Sequence, residues 1–201
     1  YHNRPVGSLA EVTATSFYPT KPLGCYGDGG AIFTDDDELA AACISLRAHG
    51  RGEGRYDIVR PGLNARLDTL QAAVLLAKLE IFEDEIRLRR QAAQRYTERL
   101  NGIVEVPAQL PGTETIWAQY TIKLPQRDAI AAHLRERGIP TKIYYPLPMH
   151  LQPAYRAYGD GEGSLPVAEA LCQQVLALPM YPYLNEATID MICDAVGSGL
   201  D

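Results

Sequence analysis

Residues 68–100 carry the longest helical pattern in the chain, and that pattern limits what the rest can fold into. Leu70, Val74, Ala77 and Ile81 recur at helical spacing on one face, with Leu75, Leu79, Phe82 and Ile86 on the adjoining one. Asp68 and Gln71 have the spacing of a capping box at its start, and Asn101-Gly102 ends it. About 33 residues at roughly 1.5 Å each span about 50 Å, more than the width of a small domain. The pattern therefore predicts a connector with separate structure before and after it. A chain of 201 residues is long enough for one domain or two small ones with a real core.

The chemistry is concentrated upstream, in residues 15–31. Residues 9–17 read as a strand, which ends in a proline-punctuated loop holding Lys21. A glycine cluster then turns the chain into a second strand, Ala31-Ile32-Phe33-Thr34. Lys21 is the only lysine or arginine between Arg4 and Arg47. Its apolar and aromatic neighbours predict a desolvated amine, and desolvation favours the neutral form that attacks a carbonyl. Two readings follow, a Schiff-base lysine or a solvated charge on a hairpin. Ser16 stands five residues upstream near the strand end, where a hydroxyl suits a phosphate oxygen. The glycine cluster is not a nucleotide phosphate loop, because it lacks the glycine-lysine-serine/threonine ending.

Asp35 and Glu38 predict a capped helix with the stripe Leu39, Ala42, Cys43 and Leu46, closed by His49-Gly50. Residues 51–62, with Arg51, Arg55 and Arg60, read as a mobile solvated connection or as a basic flap over an anionic group. Residues 101–201 read as a small α+β domain. Its expected strands are 104–106, a run through Tyr120, Ile122 and Leu124, and 141–145, broken by Pro146 and Pro148. Its expected helices are 127–137, one from a Ser164 cap through 176, and one capped by Asn185 with the stripe Ile189, Ile192, Cys193 and Val196. His150 reads as a structural residue of a proline-rich turn.

Hydrophobic residues are 46% and charged residues 22%, with a net charge of −6. That balance argues against a general nucleic-acid or anionic-membrane surface. No apolar run reaches membrane-spanning length. Cys25, Cys43, Cys172 and Cys193 form no C-x-x-C pair, which predicts reduced thiols in a cytoplasmic protein without a disulfide framework or metal site.

The segment Ser16-Phe17-Tyr18-Pro19-Thr20-Lys21-Pro22-Leu23-Gly24-Cys25-Tyr26-Gly27-Asp28-Gly29-Gly30-Ala31 resembles the lysine segment of the DegT-type (DegT/DnrJ/StrS) sugar aminotransferases, which use pyridoxal 5'-phosphate (PLP). Gly62-Leu63-Asn64-Ala65-Arg66-Leu67-Asp68 resembles a second motif of that family. Residues 143–153 and Ala177-Leu178-Pro179-Met180-Tyr181-Pro182 resemble two further segments. The resemblance implies an α/β protein of PLP-dependent transferase fold type I. In it residues 1–67 end the large PLP-binding domain, 68–100 form the long interdomain helix, and 101–201 make the small α+β domain. Earlier residues of the family sequence would carry the aromatic group and the aspartate that contact the cofactor ring.

The same resemblance assigns roles. Lys21 would form the imine with PLP and then shuttle a proton as general base and acid. Ser16 would bind the cofactor phosphate. Asn64 would reach across a homodimer interface to the partner's cofactor phosphate, and Arg66 would lie near the phosphate or the anionic part of a sugar nucleotide. Tyr144 and Tyr145 would hold the substrate, with Tyr144 standing where some members have histidine. The implied reaction moves an amino group from an amino acid, glutamate, to a keto group of a nucleotide-linked sugar in surface-polysaccharide or amino-sugar synthesis. In wording the segments are nearest to enzymes of UDP-linked 3-keto-glucuronate derivatives. Related sugar dehydratases have histidine at the lysine position, so Lys21 argues against that reaction. The alternative is a noncatalytic remnant or interaction module whose first ~67 residues expose an unpaired sheet edge.

Overall fold

The computed structural model describes residues 1–54 and 56–200. Arg55, one of the arginines of the expected basic loop, lies outside the described residues. The described backbone gathers into two units, Tyr1–Glu83 with Leu110–Glu114, and Asp84–Gln109 with Thr115–Asp201.

In the first unit, β1 (Val12–Ser16) pairs antiparallel with β2 (Gly30–Thr34), Val12 opposite Thr34 and Ser16 opposite Gly30. The strand expected over 9–17 is shorter than predicted, and a 3-10 turn, Val6–Ser8, precedes it after Pro5. Gly30 is required at the first pair, since a Cβ there would lie 2.7 Å from the Thr15 carbonyl oxygen. Among the described residues no third strand joins this sheet, so the expected open edge is present.

Helix α1 (Asp37–Arg47) starts one residue later than predicted. The Asp36 amide donates to Thr34 Oγ1 at 3.1 Å, and that turn makes Asp36, not Asp35, the cap that accepts the Leu39 N–H at 2.9 Å. His49 takes the left-handed conformation past the helix end (φ 67°), where a glycine is usual, and the Gly50 N–H closes onto Ser45 O at 2.9 Å.

The expected free connection after Gly50 is a backbone ladder. His49 N–H donates to Leu63 O (2.9 Å), Leu63 N–H to Leu46 O (2.7 Å), Ala65 N–H to Arg47 O (2.9 Å) and Val59 N–H to Gly50 O (2.9 Å). A Cβ on Gly62 would fall 2.0 Å from the Gly50 nitrogen, so two glycines let the segments close together.

The single helix expected over 68–100 is two helices, α2 (Thr69–Leu79) and α3 (Phe82–Leu100). At the junction Ile81 N–H bonds Lys78 O at 3.3 Å, three residues back, so the backbone tightens and the ladder is interrupted. The predicted capping box does not form, because Asp68 makes no side-chain cap and Gln71 is engaged elsewhere. Only Gly24, Cys25, Gly50 and Leu75 are buried among this unit's described residues.

The second unit holds the core. β3 (Tyr120–Lys123) pairs antiparallel with β4 (Val175–Leu178), Tyr120 opposite Leu178. The strands expected at 104–106 and 141–145 shrink to single bridges, Glu105 with Lys123 and Lys142 with Ala177. α4 (Arg127–Glu136) ends at Gly138 (φ 72°) as the sequence predicts. α5 (Pro166–Gln174) stops short of residue 176, because Arg127 Nη1 takes the Cys172 and Val175 carbonyls at 3.2 Å each and frees the next residues for β4. Leu165, not Ser164, is the residue at its N-cap, and the Ser164 hydroxyl donates to Gly161 O instead.

α6 (Glu186–Ser198) is capped by Asn185, which accepts the Thr188 N–H at 2.8 Å, and its stripe Ile189, Ile192, Cys193 and Val196 is buried as expected. These residues pack with Leu100, Ile122, Ile130, Leu134 and Leu176. Each such side chain contributes roughly 1.5–3 kcal/mol on burial. The Tyr96 and Tyr120 rings stack at 4.9 Å, with their hydroxyls on Pro179 O (2.9 Å) and Thr97 Oγ1 (2.8 Å). Arg95 forks onto Asp190 at 2.9 and 2.7 Å and ties α3 to α6. No described helix is long and apolar enough to cross a membrane.

Candidate active site

The β1–β2 connection is too long for a tight turn, so it depends on its own contacts. Phe17 N–H donates to Gly29 O and Cys25 N–H to Phe17 O, each at 2.8 Å. The fully buried Cys25 thiol lies 3.0 Å from both Phe17 O and Gly27 O. Tyr18 N–H donates to Ser16 Oγ at 3.2 Å, and Lys21 N–H to Tyr18 O at 2.8 Å. Ser16 and Lys21 therefore stand on one turn, linked through Tyr18. Gly24 packs against its start, where a Cβ would meet Tyr18 O at 2.7 Å and Pro19 O at 2.8 Å.

The expectation of a desolvated lysine is not met. Lys21 is exposed, and no hydrogen bond or ion pair holds its Nζ among the described residues. Its aromatic neighbours do not cover it: Tyr18 and Tyr26 themselves face solvent.

Asn64 bridges to Ala48, just past α1, and its Oδ1 accepts from Arg66 Nη2 at 3.0 Å. Both side chains are exposed. The predicted pair is thus brought together, and Asn64 keeps its amide NH2 for another acceptor. No hydrogen bond among the described residues joins it to Ser16 or Lys21.

Tyr144 and Tyr145 belong to the second unit. They follow the Lys142–Ala177 bridge, whose two hydrogen bonds (3.1 and 2.8 Å) fix the backbone just before them. Their rings meet edge-on at 5.7 Å, and Tyr145 is 69% exposed. Nearby His150 contacts Glu169 Oε1 through Nε2 at 2.9 Å. Glu169 also accepts the Gly163 N–H (3.0 and 2.9 Å) and the Leu165 N–H (3.2 Å). Those Gly163 and His150 contacts hold the Glu169 carboxyl below the usual carboxylate range.

Sequence reasoning missed two residues of α2 that reach the lysine loop. Gln71 Oε1 accepts the Tyr26 N–H at 2.7 Å. Lys78 Nζ donates to Gly24 O and sits over the Tyr26 ring, 4.9 Å from its centre. Their spacing of seven places both on one helix face, which is the only local signal that could have found them.

The donor set matches PLP in kind. A primary amine without a partner among the described residues suits an aldehyde. The Ser16 hydroxyl, the Asn64 amide and the Arg66 guanidinium suit a phosphate dianion.

The sequence pattern of the DegT/DnrJ/EryC1/StrS aminotransferase family matches residues 1–197. A UDP-2-acetamido-2-deoxy-3-oxo-D-glucuronate aminotransferase of Pseudomonas aeruginosa is 46% identical over 197 residues, covering 98% of this chain and 54% of that protein. A dTDP-3-amino-3,4,6-trideoxy-alpha-D-glucose transaminase of Streptomyces venezuelae is 41% identical over 198 residues, covering 98% and 52%. The chain spans about half the length of the curated relatives it matches. A DegT/DnrJ/EryC1/StrS aminotransferase structure from Brucella abortus superposes with TM-score 0.90 at 53% identity, over 94% of this chain and 50% of that one. DesV of S. venezuelae, solved with a ketimine intermediate, superposes with TM-score 0.94 at 40% identity, over 98% and 54%. The fold is that of these enzymes, the α/β architecture that the lysine segment implied. The chain belongs to the DegT/DnrJ/EryC1/StrS aminotransferase family.

Proposed function

We propose that this chain supplies the lysine-bearing part of a PLP-dependent transaminase. It moves an amino group from an amino acid, glutamate, onto a keto group of a nucleotide-linked sugar, in surface-polysaccharide or amino-sugar synthesis. The observation that carries the reading is Lys21 itself. Its Nζ has no partner among the described residues, on a loop whose backbone is held at both ends. The relatives named above act on UDP- and dTDP-linked sugars.

When bound, PLP supplies an electron sink that makes the donor's α-proton acidic. Lys21 Nζ would hold the cofactor through its aldehyde carbon, with loss of water, and, once the donor's amine takes that place, would be free to take and return a proton. Ser16 Oγ donates to the phosphate. Asn64 and Arg66 serve phosphate or the anionic part of the sugar nucleotide, Asn64 in the partner's site of a homodimer. Tyr144 and Tyr145 hold the sugar. Four free cysteines suit a cytoplasmic setting.

A second reading, a noncatalytic module of the same fold, is favoured by the exposure of Lys21. One experiment separates them. The chain is mixed with PLP, reduced with borohydride and mapped by peptide mass, beside Lys21→Ala, and then assayed for glutamate-dependent amination of UDP-linked 3-keto sugars. Transamination expects label at Lys21, lost in the variant, and turnover. Label spread evenly over the surface lysines with no turnover leaves the noncatalytic module.

A further inference from the structure

The α2 face formed by Gln71 and Lys78 has no part in the reading above, and it grips the lysine loop from one side. Three contacts run in series. The Lys78 ammonium donates to the Gly24 carbonyl. The Gly24 α-carbon packs on the Tyr18 and Pro19 backbone, leaving no room for a Cβ. Tyr18 O in turn accepts the Lys21 amide at 2.8 Å. Gln71 adds a parallel tie, its Oε1 on the Tyr26 N–H at 2.7 Å, and the Lys78 cation rests against the Tyr26 ring.

From these contacts we propose that Lys78 and Gln71 are positioning residues for Lys21: α2 fixes the turn that presents the Lys21 amine, and it does so through the Gly24 carbonyl. The inference rests on the reading of Lys21 as the cofactor-binding amine. It identifies Lys78, a cation, as a tether rather than as a second reactive amine. Its Nζ is occupied by a carbonyl and a ring face, whereas the Nζ of Lys21 is unengaged among the described residues.

The physical reason is the burial deficit of this unit. The loop has Gly24 and Cys25 as its only buried residues, so apolar packing does little to fix it. A charge-assisted bond to a carbonyl is about twice as strong as a neutral one and is directional. The carbonyl of a residue with no side chain offers close approach, and Gly24 supplies it.

The test uses the full 201-residue chain as wild type, Lys78→Met, Lys78→Arg and Gln71→Leu. Two readouts are taken: amide hydrogen exchange of residues 17–29, and borohydride-fixed PLP at Lys21. Exchange at the β3–β4 amides serves as the folding control. Lys78→Met keeps the aliphatic stem and removes the ammonium. It is expected to raise exchange of the loop amides, Lys21 included, and to lower Lys21 labelling about tenfold, the size of one lost charged hydrogen bond. Lys78→Arg restores most of both, and Gln71→Leu shows a smaller change in the same direction.

The proposal is overturned if Lys78→Met leaves loop exchange unchanged. It is equally overturned if loop exchange rises while Lys21 labelling stays at the wild-type level, which would make α2 a general support only. If wild type and Lys21→Ala take label equally, the cofactor reading fails instead, and the exchange data alone then decide whether α2 holds the Lys21 turn.

Discussion

Replacing Tyr120 by phenylalanine should make the chain less stable at neutral pH and more stable at alkaline pH, so that the two stability curves cross. Tyr120 is 0% exposed, and burial pushes its phenol from 10.0 up to about 12, with the Thr97 hydrogen bond pulling the other way. The folded-state value is the raised one. Its contribution is complete below pH 10 and is lost as pH rises from 10 through about 12, where the unfolded chain ionises first. At about 1.36 kcal/mol per pH unit, the rise from 10.0 to about 12 corresponds to a loss that approaches about 2.7 kcal/mol only above pH 12.

Phenylalanine lacks that loss but also lacks the 2.8 Å contact with Thr97 Oγ1. The missing hydrogen bond costs about 1 kcal/mol at pH 7. It costs no more than that, because the Thr97 hydroxyl still donates to Ala93 O at 3.0 Å. The curves should therefore cross roughly where the wild type has lost that same 1 kcal/mol, near about pH 11. Tyr96 is also pushed upward, chiefly by burial and in smaller part by Tyr120; the burial part is present in both chains and cancels in the comparison. Urea unfolding between pH 7 and 11.5 measures both curves, followed through Trp117, the single tryptophan, whose ring lies 5.7 Å from that of Tyr120. Curves that stay parallel across this range would refute the reasoning.

Glu169→Gln should release residues 159–165. In the parent chain the carboxylate contribution is present above the ordinary value of 4.5 and is lost as pH falls through the lower folded value, so Gly163 and Leu165 amide protection should fade only below pH 4.5. The variant should lack that protection at pH 7, and equal protection in both chains would count against it. Arg127→Met should cost about 3 kcal/mol by leaving the Cys172 and Val175 carbonyls without a donor, read as a shift in the urea midpoint at constant slope; a shift worth under about 1 kcal/mol would mean that water replaces the guanidinium.

How far the sequence spoke depended on the range of the interaction. The α6 stripe, its Asn185 cap and the Gly138 stop are local signals, and each is present in the structure. β4 was hidden because Val175–Leu178 is a short apolar run, which periodicity cannot tell from the end of a buried helix. The break at Glu80 and Ile81 carries no glycine or proline to announce it. At the candidate site, Lys21, Ser16, Asn64 and Arg66 were named through motif resemblance, and the hydrogen bond between Asn64 and Arg66 spans only two residues. Gln71 and Lys78 act across 45 and 54 residues, a separation that no sequence pattern encodes. The exposure of Lys21 escaped prediction for a related reason. Apolar neighbours in sequence cover a side chain only if the fold turns them toward it, and here Tyr18 and Tyr26 face solvent.

The uneven burial between the two units has a thermodynamic consequence. Backbone opening is costly where many apolar groups must be rehydrated together and cheap where few must. The segment with β1, β2 and the lysine loop therefore sits near the low end of the local-opening scale, and the Tyr96–Tyr120 core sits at the high end. A ligand that binds only the closed loop stabilises that segment by about 2.7 kcal/mol at a concentration 100 times its dissociation constant. Loading would thus raise the opening of the weaker segment toward the stability of the core, narrowing the temperature gap between the two.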